Sequence, residues 1–302
     1  MSLDADAIVD RRRLKRRLVV WRLAAIVVAV GLVGALVWRQ GGVTVGSHVA
    51  ELSITGVMLD DQDRLDALAR IATDRSVKAL ILRIDSPGGA VVAGENLYNA
   101  VRAVAAEKPV VALIEGVGAS AGYLVALAAD RIFAHETSVT GSIGVLVQTA
   151  DISQMLTKLG ITADAIKSSP LKGEPNPFTP ATAAARAATQ SVVDDTYRWF
   201  VNLLVERRKL PPATALQLAD GRIFTGRQAV SQNLIDATGG LVEARTWLQE
   251  TKDVARSLPV SKVTPSRGLS PFNLAGFARK TLLSETLTVD GLVSLWQPET
   301  LR

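Results

Sequence analysis

The chain has 302 residues, of which 48% are hydrophobic and 5% aromatic, enough apolar side chains for one sizeable core. These are mainly Ala, Val, Leu and Ile, which suits an α/β protein whose strands are buried on both faces. The absence of cysteine excludes disulfide frameworks, zinc–cysteine sites and a cysteine nucleophile.

The net charge of +5 is concentrated at the amino terminus, where residues 1–22 carry seven cations and three anions. The overlapping stretch 18–38 is 21 residues long and contains one charged side chain, Arg22. A helix of about 20 apolar residues spans a bilayer core, and Arg22 is close enough to the basic end to reach the headgroups. These features predict a transmembrane signal anchor rather than a nucleic-acid-binding surface.

The charges that flank this span predict its orientation. Many cations precede it and a lone Arg39 follows it, which places the tail 1–17 in the cytoplasm and the rest of the chain across the membrane. A cleaved signal peptide is the alternative. The length of the apolar stretch and its bulky end at Val37 and Trp38, without an A-x-A site, favour an uncleaved anchor.

After a glycine-rich linker at 39–46, strand and helix patterns alternate along the chain, which predicts an α/β fold with mostly parallel strands. Predicted strands are VAELSIT, 77–85, 109–115, short segments around 132–133 and 142–147, and ITADAIK; predicted helices are 65–72, 91–106, LVALAAD, 152–159 and 181–209. Beyond about residue 257 the pattern weakens, which predicts a loosely structured or partner-dependent tail at 257–302.

Two loops of small residues follow predicted buried strands. In SPGG, residues 86–89, the backbone can turn sharply and direct N–H groups at an anionic oxygen; an ordinary strand-to-helix turn is the simpler interpretation of this loop alone. In GASAG, residues 118–122, tiny neighbours would let a substrate backbone approach Ser120 closely. Close helix packing around a hydrogen-bonded serine is the alternative there.

A nucleophilic serine requires a base. GASAG also fits the G-x-S-x-G elbow of α/β-hydrolases, but that fold needs a later histidine. Only His135 follows Ser120, and His48 precedes the core. Lysine can replace histidine when burial depresses its pKa from about 10.4. Lys172, an isolated cation in a loop rich in Pro and Gly, is the candidate, and Lys167, which ends a predicted strand and is expected to point to solvent, is its competitor.

Five motifs occur in order between residues 48 and 240: ILRIDSPGG, GVGASAGYLVALAADRIFA, TGSIGVL, IKSSPLKGEPNPF and DGRIFTGRQA. Together they closely resemble the short bacterial signal peptide peptidases of the S49 serine-peptidase family. The resemblance implies a Ser/Lys dyad of Ser120, the nucleophile, and Lys172, the general base. It also implies an oxyanion hole lined by Gly88, Gly89 and Ala121, and a lysine-orienting role for Ser142.

The resemblance further implies a Clp-protease/crotonase-like superhelix of ββα units over 47–256, behind the transmembrane helix. Protomers would form a dome-shaped ring at the inner (cytoplasmic) membrane, with the catalytic domain on the periplasmic side and the dyad meeting across protomer contacts. Hydrophobic peptides such as signal peptide remnants would be the substrates. Neither a metal nor an organic cofactor is expected, and no nucleic acid.

Three alternatives share parts of this pattern: a regulatory S49-type protease that cuts a specific membrane protein, an inactive scaffold, and a crotonase-type acyl-CoA enzyme. Intact Ser120, Lys172 and Ser142 favour an active peptidase. Two departures from the family pattern, Glu115 just before the serine run and the Glu- and Pro-rich loop after Lys172, are expected to alter the substrate groove.

Overall fold

The structure is a computed structural model and describes residues 17, 20–28, 46–265 and 293–295. The chain divides into two compact units, Met1–Gly46 and Ser47–Arg302. In the first unit, residues 20–28 form helix α1, and its large apolar side chains are exposed. No helix within the described ranges is long and apolar enough to cross a membrane. The rest of the predicted span 18–38 lies outside those ranges.

The second unit alternates strands and helices. Its strands are β1 (His48–Thr55), β2 (Val77–Ser86), β3 (Gly88–Ala90), β4 (Val110–Ala119), β5 (Arg131–Ala134), β6 (Val139–Gly141), β7 (Ile223–Thr225), β8 (Ala237–Thr238), β9 (Val260–Lys262) and β10 (Val293–Leu295). Its helices are α2 (Gln62–Thr73), α3 (Val91–Glu107), α4 (Ala121–Ala126), α5 (Ser153–Lys158), α6 (Ala183–Arg208), α7 (Pro212–Leu218), α8 (Gly226–Ser231) and α9 (Leu241–Lys252).

Eight of these strands form one sheet in the order β7-β6-β4-β2-β1-β9, with β5 beside β4 and β8 beside β5. All its pairs are parallel except β6 with β7. β10 pairs separately with β3 in antiparallel register. The predicted α/β class with mostly parallel strands is therefore confirmed.

The sheet is buried on both faces, as its sequence requires. In β2, Leu80 and Leu82 contribute to the large core packed with α3, α4 and α6, whereas Ala79 and Ile81 contribute to a smaller core beneath α9. Successive side chains of a strand point to opposite faces, so a strand in a two-sided core consists almost entirely of apolar residues. This two-sided burial explains why residues 79–82 of β2, ALIL, are all apolar.

Two predicted strands are wrong, and both mark where the chain leaves the sheet. The strand predicted at 142–147 is displaced to 139–141, and ITADAIK forms no strand. Residues 147–182, called the arm below, expose Ile161 and Ile166 to solvent. Alternating apolar residues make a strand only where a neighbouring strand pairs with them, and ITADAIK has none among the described residues.

Most of the helix predictions agree closely with the structure, but the helix predicted for LVALAAD lies earlier in the chain, because α4 spans Ala121–Ala126. α5 matches the predicted helix at 152–159, and α6 matches the one at 181–209. α6 begins after Thr182, whose side chain accepts a hydrogen bond from the Ala185 N–H at 3.1 Å and so satisfies a free donor of the first turn. After residue 257, β9 joins the sheet by pairing in parallel with β1.

Candidate active site

Ser120 occupies the junction between the end of β4 and the start of α4. It is 1% exposed, with φ 56 and ψ −122. Its N–H donates to the carbonyl of Gly141 at 2.8 Å, which ties the junction to the end of β6. Non-glycine residues adopt positive φ uncommonly, and such strain is retained mainly where function needs it.

A second serine shares this unusual geometry. The described non-glycine residues with positive φ are Ser120, Ser142, Lys209, Asn233 and Asp253. Lys209 and Asp253 end α6 and α9 in the left-handed conformation common at helix C-termini, and Asn233 follows α8. Ser120 and Ser142 end no helix, and both line one cleft. The structure therefore brings these two predicted site residues together.

The cleft has a volume of about 540 Å³. It is lined by Ser120, Ser142, Ile143, Gly144, Val145, Leu146, Gln190, Val193, Asp194, Tyr197, Ala219, Asp220 and Gly221. Four of these residues belong to α6 at spacings of three, four and seven, which is one face of a helix. The sequence predicted this helix but gave no reason to place that face beside Ser120.

The loop that contains the predicted oxyanion glycines is fixed against neighbouring backbone. The Ala90 N–H donates to the Met58 carbonyl at 2.9 Å, and the Gly88 carbonyl accepts from the Met58 N–H at 2.8 Å. A Cβ added to Gly89 would lie 2.0 Å from the Met58 oxygen, so only glycine fits there. Because the Gly88 N–H already donates to Ser86 Oγ at 3.2 Å, Gly89 is the better candidate donor to an oxyanion.

This glycine loop lies close to the start of α4. A Cβ added to Gly122 would lie 2.8 Å from the Ser86 carbonyl oxygen, and one added to Gly94 would lie 3.0 Å from the Ala121 Cβ. Small residues on both sides are needed for this close packing. The segments that carry Gly89 and Ala121 therefore approach each other beside Ser120.

Lys172 is not brought to this cleft. It lies on the arm, is exposed, and is absent from the residues that line the cleft. Lys167 does not point freely to solvent as predicted, because its ammonium forms an ion pair with Glu174 and is largely covered. The Lys167 amine is thus already bound within the arm, so the arm favours Lys172 over Lys167 as the candidate base.

The histidine alternative is not supported by the geometry. His48 begins β1, whereas His135 follows β5, and neither lines the cleft. The His135 Nε2 lies 3.4 Å from Oε2 of Glu115, and the other carboxylate oxygen, Oε1, accepts a hydrogen bond from Arg83 Nε at 2.7 Å. Glu115 is therefore held in an ion-pair network outside the cleft. Within the described ranges, no cluster of His, Asp and Glu could hold a metal ion.

Two other side chains shape the rim of the cleft. Tyr197 donates from its hydroxyl to the Ala219 carbonyl at 2.9 Å. Burial, followed by the nearby negative charge of Asp220, raises the pKa of Tyr197 and keeps it a neutral donor. Arg222 binds both oxygens of Asp220 through its Nε at 2.8 Å, and its hydrogen bonds are the main reason the pKa of Asp220 is lowered.

Comparisons with known proteins agree with this arrangement. The sequence model described as Peptidase family S49 matches residues 102–255. A Methanocaldococcus jannaschii protein named as a protease is 36% identical over 191 residues, covering 63% of this chain and 61% of the relative. A Synechocystis sp. protein also named as a protease is 32% identical over 201 residues, covering 66% of this chain and 72% of the relative. This chain thus spans less than two thirds of the first relative.

The chain is also similar over a longer stretch to an Enterococcus faecium protein named as signal peptide peptidase SppA. The two are 27% identical over 263 residues, which cover 82% of this chain and 76% of the relative. Among solved structures, a 1510-N membrane-bound stomatin-specific protease aligns with a TM-score of 0.50 and 15% identity. That alignment covers 73% of this chain and 99% of the other. At this identity the likeness concerns the fold alone.

Proposed function

The chain belongs to peptidase family S49, a family of serine peptidases, and from this premise we propose that it cleaves peptides with Ser120 as nucleophile and Lys172 as general base. The observation that carries the proposal is the strained, buried Ser120 beside Ser142 in one cleft. A serine that only packed a helix would not need a positive φ. A second constrained serine at the same cleft gives a lysine amine a hydroxyl partner.

In the proposed reaction, a neutral Lys172 amine accepts the Ser120 proton as Oγ attacks the peptide carbonyl. The N–H groups of Gly89 and Ala121 stabilise the negatively charged oxygen of the tetrahedral intermediate. The lysine then protonates the leaving amine, which leaves an acyl-enzyme. Water attacks this ester with the lysine again acting as base, and the Ser120 hydroxyl is restored. Ser142 orients the amine throughout.

Lys172 reaches Ser120, in this proposal, from the arm of a neighbouring protomer. The arm exposes seven large apolar side chains, and clustered exposed apolar side chains commonly mark interaction surfaces. They are Val147, Met155, Leu159, Ile161, Ile166, Leu171 and Phe178. Helix α5 within it buries none of its residues. A ring of protomers would cover these side chains and complete every active site at once.

Membrane attachment is the second part of the proposal. The large apolar side chains of α1 are exposed, and an apolar helix surface fits a lipid environment. With the basic tail inside the cytoplasm, the peptidase domain would lie on the extracytoplasmic face of the inner membrane. Its substrates would be hydrophobic peptides at that surface, such as the remnants of cleaved signal peptides.

The edge of β3 supports binding of an extended peptide. β10 pairs with Gly88–Ala90 in antiparallel register, which shows that this edge can hold an extended strand beside the predicted oxyanion loop, and a substrate strand would take the place of β10 there. Addition of a strand to a sheet edge supplies affinity through main-chain hydrogen bonds. A substrate held there would present its carbonyl groups along the loop that contains Gly89.

The test uses the full chain in detergent, a fluorophosphonate probe and an apolar fluorogenic peptide. We expect the wild-type protein to gain one probe adduct and to hydrolyse the peptide. Ser120→Ala should lose the adduct, and both Ser120→Ala and Lys172→Ala should lose hydrolysis by at least about 1,000-fold. Lys167→Ala, a matched change on the same arm, should retain most activity. An assembled wild-type protein with neither adduct nor hydrolysis would favour the inactive scaffold.

A further inference from the structure

One wall of the cleft beside Ser120 contains a carboxylate that the described chain leaves without a cation. Asp194 lies on the face of α6 that also presents Gln190, Val193 and Tyr197 to the cleft. Its side chain accepts a hydrogen bond from Gln190 Nε2 at 2.7 Å. Asp194 forms no ion pair with any residue of the described ranges.

The other carboxylate at this cleft differs in this respect. Asp220 is bound by Arg222 through two oxygens, so its charge is already compensated within the chain. Asp195, the neighbour of Asp194 on α6, is exposed and does not line the cleft. The negative charge available to a bound molecule beside Ser120 is therefore that of Asp194.

Apolar side chains also line the cleft near Asp194. Ile143 and Val145 lead from Ser142, and Val193 and the Tyr197 ring lie on the α6 side. A lysine or arginine side chain matches such a surface, because its aliphatic stem packs on apolar groups while its cationic end seeks a carboxylate. A purely apolar substrate side chain would leave the Asp194 charge uncompensated as it excludes water.

We propose that Asp194 is a specificity-determining residue that receives the cationic end of a substrate lysine or arginine, while Ile143 and Val193 contact its stem. This inference rests on the proposed peptidase function and narrows its substrates to apolar peptides that contain a basic residue near the scissile bond. Signal peptides have this composition, since a positively charged segment precedes their apolar stretch.

The experiment uses the full chain in detergent and pairs of fluorogenic peptides. The two peptides of a pair differ at one position, which is lysine in one and norleucine in the other. This position is moved in turn through the sites that flank the scissile bond. At one position we expect the lysine-to-norleucine ratio of kcat/KM to fall about 10-fold in Asp194→Asn, the effect of losing one charge-assisted hydrogen bond. Asp195→Asn removes the same charge one residue away and should leave the ratio unchanged.

Binding separates this inference from the peptidase proposal. In Ser120→Ala protein, anisotropy of the labelled peptides measures affinity without turnover, and adding Asp194→Asn should weaken the lysine peptide about 10-fold but not the norleucine peptide. An unchanged ratio at every position overturns the inference, as does an equal loss for both peptides, which would mean that Asp194 acts on Lys172 or on folding. Absence of hydrolysis by the wild type, with selective binding intact, would overturn only the peptidase proposal.

Discussion

The two halves of the proposed dyad lie in regions of opposite character. The body, residues 48–146 and 183–265, holds Ser120 at a buried junction with a defined backbone strain and a hydrogen bond to β6. The arm holds Lys172 on an exposed segment whose apolar side chains face solvent. The nucleophile is therefore preorganised within one protomer, whereas the base is presented outward.

In the proposed ring, this difference would restrict activity to the assembled protein. Preorganised groups lower the activation barrier without reorganisation during the reaction, and the body supplies them as soon as it folds. A lone protomer would nevertheless lack a base. Such a peptidase would hydrolyse peptides only where protomers accumulate.

The largest expected effect comes from mixing two inactive proteins. If each site combines the body of one protomer with the arm of another, Ser120→Ala and Lys172→Ala subunits assembled together contain some complete sites. Random mixing in equal amounts predicts about a quarter of wild-type activity, measured by peptide hydrolysis after dissociation and reassembly. Separate assemblies of each variant, combined without exchange, are the control. Mixed assemblies without any activity would place the dyad within one protomer.

The sequence predicted the body half of the site better than the arm half, and the reason is the range of the interactions. Ser120 and Ser142 follow β4 and β6, which pair in parallel, and the carboxyl ends of parallel strands meet at one edge of a sheet. Short motifs after strands therefore indicate which residues converge. No such rule applies to the arm, because the residues ITADAIK alternate as a strand does but have no pairing partner within the ranges that the structure describes.

The position of Asp194 in the cleft could not be predicted from the sequence, for a different reason. The length and caps of α6 follow from local sequence, but its rotation about its axis is set by Phe200 and Leu204 packing into the core. Only that packing determines that Gln190, Val193 and Asp194 face Ser120. A helix of weak amphipathicity does not reveal this face in the sequence alone.

A second test compares the same substitution in both regions. Gly89→Ala places a Cβ 2.0 Å from the Met58 oxygen, which must displace the predicted oxyanion loop, and we expect kcat to fall about 100-fold. In the arm, Gly160 has φ +71 and open space around its Cα, so Gly160→Ala adds only local strain of about 1 kcal/mol.

Activity and thermal unfolding should be measured together for both variants. Gly160→Ala is expected to keep activity within about threefold of wild type, since the added methyl group meets no atom within 4 Å. A Gly89→Ala protein that folds and hydrolyses peptides normally would show that the β3 loop does not contribute to the oxyanion hole. If the Gly89→Ala protein is labelled by the fluorophosphonate as fully as the wild type but hydrolyses peptide more slowly, the defect lies in the loop and not in the reactivity of Ser120.

A smaller effect, on stability and not on activity, is expected from the buried hydrogen bond that ties α4 to the rest of the body. Tyr123, three residues after Ser120, is fully buried, and its hydroxyl donates to the Leu234 carbonyl at 2.6 Å. Tyr123→Phe removes this donor and leaves a buried carbonyl unpaired, so we expect the free energy of unfolding to fall by about 1 kcal/mol at neutral pH. Chemical denaturation measures it, with Tyr197→Phe, a half-buried donor, as the comparison.

The stability difference between the wild type and Tyr123→Phe should also depend on pH. Burial raises the pKa of Tyr123 above its ordinary value, so the folded state favours the neutral phenol. That contribution to stability is complete below the unfolded pKa, near 10, and is lost as the pH rises from there towards the folded value. Wild-type stability should therefore decline more steeply than that of Tyr123→Phe above pH 10, and equal slopes would mean that α4 opens to solvent more readily than its packing implies.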